Sequence, residues 1–179
     1  SAHDLETLIQ SFHPVIVIDS VEEDRVTTLV ATAADGLRLP YFEWSLTKGL
    51  VRPPSPTGVT GTQEPVGLLK HLETLKTPAV FCLLDFAAHL SQPSVVRRFR
   101  EVVQSYAHNV STVVLTGAGI TLPLEIDSLS VRYRFQLPSR EELDGVVRSV
   151  VRSFGANSRV RVELQAADHE KLVRALMGM

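Results

Sequence analysis

The chain has 179 residues, 44% of them hydrophobic, with 18 basic against 20 acidic side chains and a formal charge of −2. That is enough for one ordinary domain with a core, or a domain plus a fragment of another, and it gives no electrostatic footprint for nucleic acid or an anionic membrane. A lone cysteine, Cys82, excludes a disulfide framework or a cysteine-built zinc site within the chain, and no apolar run approaches the roughly 20 residues that cross a bilayer.

Leu5, Leu8, Ile9 and Phe12 form a helical stripe over Asp4 to Phe12. Pro14 ends it, and the apolar run Val15–Ile18 closes on Asp19. Ser20 stands where an N-cap is wanted for a helix from Val21 to Ala34, whose first turn holds Glu22, Glu23 and Asp24 and whose buried stripe is Val26, Leu29, Val30 and Ala33. Asp35-Gly36 stops this helix. Leu37–Ser45 reads as the second strand, and Pro40 near its beginning marks it as an edge strand. Gly49 to Gln63, with prolines, glycines and no periodicity, reads as a long exposed connector. Pro65 opens a helix to about Lys76, with Leu68, Leu69, Leu72 and Leu75 inward.

Ala79–Leu84 is an unbroken apolar run ending at Asp85, as expected of a strand buried on both faces of a parallel sheet. Cys82 lies inside it as a small buried hydrophobe. Ser94–Ala107 is amphipathic: Val95, Phe99, Val102, Val103 and Tyr106 oppose Arg97, Arg98, Arg100 and Glu101. Val110–Leu115 is the fourth strand, closed by Thr116-Gly117, and Leu122–Ile126 is a short connection. Ser130–Gln136 alternates and is expected at the other sheet edge. Pro138-Ser139, with Glu142 completing a capping box, opens a helix that Gly155 ends. Arg159–Leu164 alternates briefly, and Asp168–Leu176 begins a last helix whose lack of a partner suggests that the chain continues in a larger protein.

Strands and helices that alternate in this way imply a three-layer α/β fold on a parallel five-stranded sheet with right-handed crossovers. An acid at the carboxyl end of a buried strand, as Asp85 is, occupies the place where such folds put their chemistry, and in P-loop NTPases that acid holds Mg²⁺. The rest of a nucleotide site does not follow. A phosphate loop reads GxxxxGK[ST], whereas the first strand runs into Asp19-Ser20-Val21-Glu22-Glu23-Asp24-Arg25, without glycine or lysine. Three acids at a helix N-terminus repel a triphosphate. Phe86 stands after Asp85, where an ATPase usually has the glutamate that polarises water, and the GVTGT segment at residues 58–62 lacks a lysine.

Asp19, Asp85 and Thr116 are therefore weak candidates for a cofactor site, and no catalytic residue and no metal site is expected. The histidines show no metal-type pairing at i, i+4. Glu22, Glu23 and Asp24, and separately Arg97, Arg98 and Arg100, are candidates for contact with a partner or a neighbouring subunit, although solvated helix faces have the same composition. Trp44 reads as core. If a nucleotide or other anion binds weakly in a nonstandard way, Arg132 and Arg134 are the basic groups expected near Asp19 and Asp85. A rival reading is a receiver domain phosphorylated on Asp85, with Asp19 and Thr116 beside it. It lacks a second acid next to Asp19 and a lysine after the fifth strand, and its strand order would be 2-1-3-4-5.

In their order along the chain, several segments resemble the N-terminal part of the AAA+ family that algal plastids and cyanobacteria encode as a conserved reading frame. They are Val21-Glu22-Glu23-Asp24-Arg25, Trp44-Ser45-Leu46-Thr47-Lys48-Gly49-Leu50, Leu84-Asp85-Phe86, Val95-Val96-Arg97-Arg98 and Leu137-Pro138-Ser139-Arg140-Glu141-Glu142-Leu143. The resemblance runs from about His13 to Met179. It implies P-loop NTPase topology of the AAA+ type, strand order 5-1-4-3-2, with an AAA+-like core over residues 1–155 that lacks the phosphate loop. It further implies that residues 156–179 are a connector and the start of a helical lid. ATP and Mg²⁺ would belong to a second module downstream, the expected partner of this one. The remaining expectations are a possible homo-oligomer or protein partner, no nucleic acid or membrane partner, and a cytoplasmic location.

Overall fold

The computed structural model describes residues 1–106, 110–134, 144–145, 147–151 and 166–177. They fall into two compact units, Ser1–Phe135 and Gln136–Met179. The first unit runs α1 (Ala2–Gln10), β1 (Val15–Asp19), α2 (Glu23–Gly36), β2 (Tyr41–Ser45), β3 (Gly49–Val51), α3 (Pro65–Thr74) and β4 (Val80–Leu84). A 3₁₀ turn (Phe86–Ser91), α4 (Pro93–Tyr106), β5 (Thr112–Gly117), α5 (Leu124–Asp127) and β6 (Ser130–Arg132) complete it. In the second unit, described helical residues occur within 144–151, and α6 spans Ala166–Met177. The Pro138-Ser139-x-x-Glu142 box and the Arg159–Leu164 piece lie outside the described residues.

The sheet order is β3-β2-β4-β5-β1-β6. Its five parallel members keep the expected order 5-1-4-3-2, counted by the five predicted strands. In that order β5 separates β1 from β4, which excludes the receiver arrangement. The sheet nevertheless has six strands and is mixed, because β3 adds an antiparallel edge to β2. Gly49–Val51 was expected in an exposed connector, yet all three residues are buried. Three residues are too few to show a period, and the glycine hid the strand. Proline also misled at β2: the strand starts after Pro40, at Tyr41, and is paired on both sides. At the opposite edge β6 pairs only with β1, as alternation had suggested.

Alternation inside the strands distributes the core over two layers. Val15, Val17, Phe81, Leu83, Val113 and Leu115 face α3 and α4, where Leu68, Leu69, Leu72, Phe99 and Val103 meet them. Ile16, Ile18, Val80, Cys82 and Val114 face α1 and α2, against Leu5, Ile9, Val26, Val30 and Ala33. Every other residue of these strands is thus buried on a different side, which removes the polar alternation from their sequence. At roughly 25 cal/mol per Å² of apolar surface, burial of this kind is the main favourable term in folding.

The segment after β3 is tied down rather than loose. Thr62, 1% exposed, accepts from the Leu50 amide (2.8 Å) through Oγ1 and donates to the Val59 carbonyl (2.6 Å). Its own carbonyl accepts from the indole N–H of Trp44. Gly58 and Gly67 permit this return path, since a Cβ at either would lie about 2 Å from a carbonyl oxygen, of Lys48 (2.0 Å) and Gly61 (2.1 Å). No helix among the described residues is long and apolar enough to cross a membrane.

Candidate functional site

Parallel strands deliver their carboxyl ends to one edge, and there Asp19, Asp85 and Thr116 come together as the sequence suggested. Asp19 pairs in register with Gly117, and the Ser20 amide donates to the Gly117 carbonyl at 2.9 Å. The Asp19 carboxylate accepts from the backbone N–H of Gly119 (2.9 Å) and Ile120 (3.0 Å), one oxygen to each. It thereby fixes the loop that leaves β5 and is engaged as a structural acceptor.

Asp85 sits in the left-handed region (φ 55°), a conformation that aspartate tolerates better than most side chains, and its amide donates to the Thr116 carbonyl at 2.8 Å. Opposite it Gly117 has φ 157° and no side chain; a Cβ there would lie 2.8 Å from Asp85 Oδ1. Two small hollows share Asp85, Thr116, Gly117 and Ala118. One, of about 240 Å³, is closed by Ser20, Val21, Glu23 and Leu84. The other, of about 270 Å³, is closed by Ala87, Ala88, Gly119, Ile120 and Thr121.

The connection from β1 to α2 differs from expectation by two residues. The helix starts at Glu23, not Val21, and Glu22 occupies the N-cap position without a side-chain cap bond. Ser20 instead accepts from the Glu22 amide at 3.0 Å, a tight turn of its own. Only Ser20, Val21 and Glu22 therefore link strand to helix. A phosphate loop needs about six residues, glycine at each end, ahead of its lysine. Neither the length nor the residue types fit a triphosphate.

The position after Asp85 is taken up by the core. Phe86 is 0% exposed, stacks on Phe99 (5.5 Å between centroids) and meets Trp44 edge-on (5.3 Å). Trp44, also buried, belongs to the core as expected.

The interaction candidates have mixed fates. Glu22 pairs with Arg25 at 3.0 Å, while Glu23 and Asp24 are exposed in the first turn of α2. Arg98 Nη1 donates to both carboxylate oxygens of Glu73 of α3, at 2.7 and 2.9 Å, so it staples two helices. Arg97 pairs with Glu101 at 2.7 Å, and with Arg100 it borders a groove of about 420 Å³ lined also by Leu90, Pro93, Val96 and Pro123. Arg132 reaches the Ile120 carbonyl (3.4 Å) and Asp127 (3.5 Å). Arg134 has no described contact with Asp19 or Asp85.

Burial pushes the Cys82 thiol up to about 12 and raises the Tyr41 hydroxyl as well, whose oxygen lies 2.9 Å from Glu43. Among the described residues, no group of three His, Cys, Asp or Glu side chains is placed to hold a metal ion.

Comparison with known proteins agrees with this architecture. The AAA domain-containing protein ycf46 of Guillardia theta is 26% identical over 98% of this chain and 34% of its own length. The chain thus spans about a third of the length of the curated relatives it matches. Among solved structures, a chain of the HORMA:CdnC:Trip13 complex of E. coli MS115-1 superposes with a TM-score of 0.59 at 13% identity, over 97% of this chain and 71% of that one. AMPPCP-bound DnaA from Aquifex aeolicus gives 0.53 at 10% identity, over 99% of this chain and 58% of that one. At such identities these two likenesses speak for the AAA+ fold alone. Residues 1–135 match the model of the SpoVK-like AAA ATPase N-terminal domain, and the chain belongs to that family.

Proposed function

We infer that this module does not bind or hydrolyse ATP and acts as a structural or regulatory interaction unit within a larger AAA+ protein. One observation carries the reading: three residues, none of them glycine or lysine, join β1 to α2, so no backbone cradle surrounds the place where phosphates would lie. Phe86, locked in the core where a glutamate would polarise water, supports the same conclusion from the other side of the edge. Carboxylates at this edge, Asp85 and Glu23 among them, oppose an anion further.

ATP and Mg²⁺ are then the business of a second module downstream, for which the relatives' greater length leaves room. That module, a second copy or another protein would be the partner, with the exposed Glu23, Asp24 and Arg97 and the half-buried Arg100 as the charges available to it. A cytoplasmic location fits a chain whose one thiol is buried and reduced. The test is isothermal titration of the chain with ATP and Mg²⁺. The expected result is no heat of binding; micromolar affinity lost on substitution of Ser20 or Glu23 would overturn the reading.

A further inference from the structure

The 240 Å³ hollow beneath the start of α2 has a lining that neither a collapsed site nor a phosphate site would need. Its charged groups are Asp85 and Glu23, and no basic side chain lines it. Neither carboxylate has a hydrogen-bond or ion-pair partner among the described residues. Thr116 supplies an independent sign. It is 3% exposed, and strand alternation turns its side chain to the same face as Val114, the face covered by α2. Its hydroxyl nevertheless has no partner among the described residues. Its oxygen is not sealed in the core, so a group lodged in the hollow can reach and bond it.

The N-terminus of α2 contributes only about half a positive charge. Glu22, Glu23 and Asp24 stand against it, so the local balance stays negative even with Arg25 on Glu22. Val21, 84% exposed, and Leu84 give the hollow an apolar side next to its acids. An apolar wall beside two carboxylates and a hydroxyl suits a cation on a hydrocarbon stem, and it suits a hydrated metal ion poorly. Gly117 keeps the space beside Asp85 Oδ1 open, since a Cβ would fill it.

We propose that this hollow is a binding site for an ammonium or guanidinium group carried on an alkyl chain. Asp85 and Glu23 accept its N–H groups together with Thr116 Oγ1, and Val21 and Leu84 flank the stem. The proposal rests on the reading that no phosphate occupies this edge. The cation is supplied either by a free small amine or by an arginine or lysine side chain of a polypeptide.

The experiment is an amide NMR titration of the whole chain with agmatine, with a capped Gly-Arg-Gly peptide, and with ATP and Mg²⁺. Saturable shifts at Ser20, Glu23, Thr116 and Gly117 with either cation are expected. Asp85→Asn, in which asparagine tolerates the same left-handed backbone, and Glu23→Gln should each weaken binding about fivefold. A peptide about tenfold tighter than agmatine identifies a polypeptide source, and the reverse order a free amine; both support the site. If neither cation saturates by about 10 mM, or if both substitutions leave binding unchanged, the inference fails and the non-nucleotide reading stands. If ATP with Mg²⁺ moves the same amides, both fail.

Discussion

Replacing Phe86 by glutamate, the residue a hydrolytic site would want after Asp85, should unfold this protein rather than repair it. The ring is 0% exposed and contacts Phe99 and Trp44 at centroid distances of 5.5 and 5.3 Å. Truncating such a phenylalanine to alanine removes about 3–5 kcal/mol, of which each aromatic contact accounts for about 0.5–1.5. Phe86→Glu loses the same packing and adds the penalty of burying a carboxyl group, so a loss above about 4 kcal/mol is expected. Domains have only about 5–15 kcal/mol in all, and Phe86→Glu therefore stands at the edge of folding. Urea unfolding followed by the fluorescence of Trp44, the only tryptophan, measures the effect directly. Phe86→Leu, which keeps most of the volume, should lose about 1.5 kcal/mol and serves as the reference. A buried glutamate is protonated more readily than in the unfolded chain. The Phe86→Glu loss should accordingly be smaller below the ordinary glutamate pKa of about 4.3 and grow as pH rises above it. If Phe86→Glu matched wild type within about 1 kcal/mol at neutral pH, the argument that the core has taken this position would be wrong.

Asp19→Asn should destabilise the chain by about 1–2 kcal/mol, because one of the two amide bonds from Gly119 and Ile120 faces a group that no longer accepts; faster hydrogen exchange at those amides is the specific readout. Thr62→Val keeps the shape but strands the Leu50 amide and should lose about 1–3 kcal/mol, with new protease sensitivity at residues 52–61; cleavage rates unchanged from wild type would count against the tie. Cys82 should resist a thiol reagent at pH 8 until the protein is unfolded. Since its folded pKa is raised from 9.0 to about 12, the stability it contributes is complete below pH 9 and declines as pH climbs toward 12, a decline that Cys82→Ala should remove.

The parallel sheet could be read from the sequence because its strands carry their burial in their composition. Residues 15–18, 80–84 and 113–115 are covered on both faces and so contain no charged or hydroxyl-bearing side chain. Order and topology then followed from alternation with helices whose stripes, such as Val95, Phe99, Val102, Val103 and Tyr106, were buried as expected. What escaped was held by long-range bonds. The strand Gly49–Val51 exists because Thr62 and Val59 bond Leu50 from about ten residues away, which no local pattern announces. At the edge, the acids were visible but not their roles. Asp19 and Asp85 look alike in sequence, yet one carboxylate is fully used by the loop after β5 and the other is free toward the hollow. Register between strands makes that distinction, and Thr116 gained its meaning in the same way, once β5 lay between β1 and β4.

The short link between β1 and α2 bears on how this lineage can change. Substitution alters residue types while keeping length, so no series of single replacements turns Ser20-Val21-Glu22 into a loop able to wrap a phosphate chain. An insertion is required, and it would have to enter where the Ser20 amide bonds Gly117 and the Glu22 amide bonds Ser20, breaking both at once. Each intermediate would lose those bonds before any nucleotide contact replaced them. The length of this link, more than the residue types in it, is therefore what separates it from a phosphate loop.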